Sequence, residues 1–66
     1  MASDVLKGKW KQLKGSIQER WGELTDDEVD QVQGESQQLI GLLQEKYGYT
    51  KEKAEGEVAD FLDEHS

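Results

Sequence analysis

One phrase is written twice in this chain. GKWKQLKGSIQERWG at residues 8–22 recurs as GESQQLIGLLQEKYG at residues 34–48, an offset of 26 positions that carries Gly8 onto Gly34. The same offset superposes Leu13 on Leu39, Gly15 on Gly41, Gln18 on Gln44, Trp21 on Tyr47 and Gly22 on Gly48. One residue later the register slips, and Leu24-Thr25 matches Tyr49-Thr50. Each copy, 8–33 and 34–59, reads as helix, glycine stop, apolar residue, and a threonine that starts the next helix. A repeated supersecondary unit cannot bury its own apolar face and must pack on its neighbour. The repeat therefore predicts two αα-hairpins closing one core.

The helices are legible from spacing. Ser3 is placed to cap the first, with Asp4 in its opening turn favoured by the helix dipole. Leu6, Trp10, Leu13, Ile17 and Trp21 then recur at steps of three and four, a stripe of about 80°. Gly22 is expected to end this helix as a C-terminal glycine. Gly8 and Gly15 lie inside it, each less favourable than alanine by ~1 kcal/mol. Close approach of another helix would account for them. Thr25-Asp26-Asp27-Glu28 forms a capping box, flanked by the staple pair Leu24 and Val29. A short second helix carries Val29 and Val32 and stops at Gly34. The third begins near Glu35 or Ser36, presents Leu39, Ile40, Leu43 and Tyr47, and ends at Gly48, with Leu42 at the edge of its apolar face. Thr50 caps the fourth, whose stripe is Ala54, Val58, Phe61 and Leu62. Lys51–Glu55 and Lys53–Glu57 are spaced to pair across one helical turn. Residues 63–66 are expected to fray. The expected core is Trp10, Leu13, Ile17, Trp21, Leu39, Leu43, Tyr47, Val58 and Phe61.

Size and charge limit what this fold can do. A chain of 66 residues makes one small domain of modest stability. It contains no cysteine, so neither disulfides nor thiolate metal sites are available, which fits a reducing cytoplasm. No stretch approaches a membrane span, and Met1-Ala2-Ser3-Asp4 lacks a signal core. The net charge is −7 and is unevenly placed: residues 1–24 carry five bases against three acids, residues 25–66 three bases against twelve acids. Lys7, Lys11 and Lys14 share one side of the first helix and are the candidate partner-binding residues, for a nucleic acid or an acidic protein. The overall negative field opposes nucleic acid, and both tryptophans lie on the apolar stripe rather than on a stacking surface. A membrane-surface role would require the first helix to leave the core, so no membrane is expected as a partner.

No catalytic set is evident. The single histidine, His65, lies at the C-terminal end beside Ser66, and the serines at positions 3, 16 and 36 have no histidine or lysine next to them in sequence. Asp26, Asp27, Glu28 and Asp30 lack calcium-loop spacing and serve better as helix-start carboxylates. Glu57, Asp60, Asp63 and Glu64 beside His65 offer only one imidazole. The chain is expected not to be an enzyme and to use no metal or cofactor.

GKWKQLKG (8–15), ERWGELTDDE (19–28), QLIG (38–41), QEKYGYTKEKAE (44–55) and EVADF (57–61) together resemble the CsbD-like family of small bacterial proteins, over residues 3–62. The resemblance implies an all-α fold of four short helices in two αα-hairpins packed crosswise, a SAM-like arrangement. It also implies a cytoplasmic, non-catalytic general stress-response role. Leu42 and Gln18 stand where that family commonly has basic residues, which weakens an anion-binding role. A hydrophilic protectant is the first expectation, and a binding module using the basic side of helix one the second. A monomer is expected, with Leu42 the one apolar rim group available for weak self-association.

Overall fold

The computed structural model describes residues 6–65. The expected Ser3 cap and Asp4, and Ser66 at the other end, lie outside the described residues. Every regular element among the described residues is helical. The four longer helices are α1 (Trp10–Arg20), α2 (Asp26–Val32), α3 (Ser36–Tyr47) and α4 (Lys51–Glu64).

The first expected helix is in fact two. Residues 6–8 are helical, Lys9 breaks the run with φ −110° and ψ 14°, and α1 begins at Trp10. The described residues therefore hold five helical segments rather than four. Gly8 at the junction is a poor helix former. The backbone re-enters the helix where the Lys9 carbonyl accepts from the Leu13 amide at 2.9 Å.

The two threonine starts form as the sequence requires. Thr25 accepts from the Glu28 amide at 3.2 Å, while the Glu28 carboxylate accepts from the Thr25 amide at 3.0 Å. Leu24 and Val29 on either side are both buried. Thr50 accepts from the Lys53 amide at 3.1 Å. The stops are more varied. Gly48 ends α3 in the left-handed region at φ 68°. Trp21, at φ −122°, terminates α1, and Gly22 does not take the left-handed conformation expected of it. Gln33 closes α2 at φ 51°, with Gly34 following at φ 77°.

α1 packs on α2, α2 joins α3, and α3 and α4 share the most extensive contact. One cluster fills the interior: Leu6, Leu13, Ile17, Trp21, Leu24, Val29, Val32, Leu39, Ile40, Leu43, Ala54, Val58, Phe61 and Leu62. Burial of each Leu, Ile or Phe contributes about 1.5–3 kcal/mol. Trp21 and Phe61 tie the end of α1 to the last turns of α4, ring to ring at 5.4 Å. Trp10 and Tyr47 belong to the rim rather than to the core where they were expected. The Tyr47 hydroxyl explains its position: it accepts from the Glu23 amide at 3.0 Å and stays near water.

One further expectation is corrected. A Cβ added to Gly8 or Gly15 would meet nothing within 4 Å, so no helix approaches either. α4 is helical through Glu64, and the His65 ring lies on Phe61 at 4.4 Å. No helix among the described residues is long and apolar enough to cross a membrane.

Candidate functional site

Lys7, Lys11 and Lys14 do not form one free basic face. Lys7 belongs to the segment before the break at Lys9, whereas Lys11 and Lys14 lie on α1. Lys7 Nζ is 2.6 Å from Glu35 Oε1. Lys14 pairs with Asp30 of α2. Lys11 is exposed and has no ion-pair partner among the described residues. Two of the three candidate lysines therefore face carboxylates of their own chain.

The same holds for other bases. Arg20 reaches Glu64 at 2.5 Å and Glu57 at 3.9 Å, bridging α1 to α4. Lys46 Nζ lies 2.8 Å from Glu28 Oε2, linking α3 to the start of α2. The Lys46 hydrogen bond, and after it the Thr25 amide, holds the Glu28 carboxyl below its usual range. The Glu28 carboxylate in turn raises the Lys46 ammonium above its usual value. Lys53 lies 5.0 Å from the centre of the Tyr49 ring, and Glu57 turns to Arg20, so neither expected pair within α4 forms.

The acidic run at the start of α2 is absorbed by structure. Asp26 accepts from the Gln18 amide at 2.8 Å, Glu28 closes the capping box, and Asp30 holds Lys14. The described residues contain no group of three or more histidine, aspartate or glutamate side chains placed to hold a metal ion.

Shallow clefts also mark the surface of the described residues. One, of about 370 Å³, lies between α2 and α3 and is lined by Gln31, Gln37, Gln38, Leu42 and Glu45 among others. Half-buried Leu42 forms its apolar floor. Another, of about 280 Å³, gathers Ser16, Arg20, Phe61, Glu64 and His65. It brings together the histidine and a serine that are far apart in sequence, a juxtaposition with no sequence signal. Neither side chain hydrogen-bonds the other: the imidazole packs on Phe61, and Arg20 takes the Glu64 carboxylate. An activated nucleophile needs that bond and a third group orienting the base.

Helices and surface together define a class: a small all-α protein with half of its eight bases paired to its own carboxylates and a surface in which acids outnumber bases. The model for CsbD-like proteins matches residues 4–56. A UPF0337 protein of Pseudomonas aeruginosa is 60% identical over 63 residues, covering 96% of this chain and 97% of that one. A UPF0337 protein of Bordetella pertussis is 51% identical over 63 residues, 96% of each chain. One of Protochlamydia amoebophila is 46% identical over 65 residues, 98% of each. The chain belongs to the CsbD-like family.

Proposed function

We propose that this protein is a non-catalytic bacterial stress-response protein that works as a hydrophilic protectant through its whole hydrated surface rather than through a site. The observation that carries this reading is the internal pairing of its bases. Lys7, Lys14, Arg20 and Lys46 each face a carboxylate of the same chain. With 15 acids against 8 bases, what is left for solvent is dominated by unpaired carboxylates such as Glu19, Glu45, Glu52 and Glu55. An acidic, strongly hydrated surface resists association with itself and with other proteins.

The same pairing weighs against the second reading, a module that grips a nucleic acid or acidic protein through helix one. A competing anion would have to displace Glu35 and Asp30 to reach Lys7 and Lys14. We read the protein as a cytoplasmic monomer. The contacts of α1 with α2 and of α3 with α4 support two αα-hairpins. The crosswise, SAM-like packing of those hairpins is part of this reading.

The test is protection of a labile reporter enzyme during drying or heating. The protein should preserve more activity than an equal mass of serum albumin. Parity with albumin contradicts the reading.

A further inference from the structure

Each of the three long helices carries a glycine at its sixth residue: Gly15 in α1, Gly41 in α3 and Gly56 in α4. All three face solvent, and a Cβ built on any of them meets nothing within 4 Å. None has a positive φ. Neither packing nor backbone conformation calls for glycine at these positions, in contrast to Gly34 and Gly48. What remains is the cost. Glycine inside a helix weakens the folding equilibrium about fourfold to fivefold relative to alanine.

The placement increases the effect. These helices have 11, 12 and 14 residues, lengths at which an isolated helix is already marginal in water. Helix ends fray in any case, so a weak residue matters most at mid-helix. The indole N–H groups of Trp10 at the rim and Trp21 in the core add to the same tendency, because both are buried without a partner. Once unfolded, a chain of net charge −7 and mean hydropathy −0.93 stays hydrated rather than collapsing.

We propose that Gly15, Gly41 and Gly56 form an order–disorder device. They hold the native state close to its unfolding threshold, so that mild stress converts the folded domain into a hydrated acidic chain. The device deepens the protectant reading and takes its purpose from it: the released chain supplies the shielding.

The test replaces each glycine by alanine, singly and together, and reads stability from urea midpoints and native-state amide exchange. Each single variant should raise the folding constant about fourfold to fivefold, and the triple variant about a hundredfold if the sites act independently. Gly48→Ala is the control: at φ 68° it should lose stability. A triple variant no more stable than the parent overturns the device. The triple variant should also protect the reporter enzyme less than the parent does, at temperatures where only the parent melts. Equal protection by the two overturns the device and leaves the protectant reading standing. If neither protects, the protectant reading falls, and the hundredfold gain in stability still supports the threshold role of the glycines.

Discussion

A methyl group on Gly34 would stand 2.6 Å from the Cα of Lys7. The backbone of residues 6–8 is laid directly on the corner between α2 and α3, and only a residue without a side chain lets it close that far. The contact places Leu6 fully inside the core and brings Lys7 to Glu35.

Gly34→Ala should therefore be among the most damaging single-methyl changes in the chain. Its left-handed φ of 77° alone makes alanine unfavourable, by roughly 1–2 kcal/mol. The clash with Lys7 adds roughly 1–3 kcal/mol of overpacking. Gly48→Ala shares the left-handed φ but has open space around it, so it should show only the first effect. Urea denaturation followed by tryptophan fluorescence separates the two. Equal losses would mean that the contact with Lys7 is not tight.

How much of this was written in the sequence depends on distance along the chain. The Thr25–Glu28 box, the Leu24–Val29 staple and the Thr50 cap were legible because each is complete within six residues. The apolar stripes were legible for the same reason, since a helix turns predictably from Leu13 to Ile17 and from Val58 to Phe61. Gly34 was readable as a helix stop but not as a close contact, because the partner atom belongs to Lys7, far back along the chain. Gly15 was given a packing role that it lacks, as spacing alone does not tell a glycine under another helix from one facing water. The candidate site suffered most. Lys7, Lys11 and Lys14 are visible as a basic side, but Glu35 and Asp30 become their neighbours only when the chain folds back.

The two threonine caps should not be equal. Thr25 is bonded reciprocally with Glu28, whereas Thr50 accepts from Lys53, whose side chain cannot return the bond. Loss of a threonine cap costs about 0.5–2 kcal/mol. Thr50→Ala should fall near the middle of that range and Thr25→Ala near its top. Thermal melts of the two variants check the order, and a larger loss for Thr50→Ala would contradict the role given to the box.

The Glu28–Lys46 pair sets a pH window. Glu28 is held below its usual range, so its contribution to stability is complete above the ordinary carboxylate pKa and is lost as pH falls through the depressed folded value. Lys46 is raised, so its contribution is complete below the ordinary lysine pKa and is lost as pH climbs through the raised folded value. Stability from this pair should be flat across neutral pH and decline at both ends. Glu28→Gln keeps an acceptor for the Thr25 amide and removes the charge. It should be less stable than the parent at neutral pH and converge with it in acid. Parallel curves down to low pH would show that the pair contributes nothing.

The central claim is that function resides in the whole hydrated, acidic surface and not in a basic docking face. Lys11→Glu tests it most directly, because Lys11 is the candidate residue that is exposed and unpaired among the described residues, so its reversal leaves the ion pairs of Lys7 and Lys14 in place. The measurement is residual activity of a labile reporter enzyme after drying with parent, with Lys11→Glu, or with an equal mass of albumin. Parent and variant should protect equally, and both better than albumin. Loss of protection in the variant, or parity of the parent with albumin, would contradict the claim.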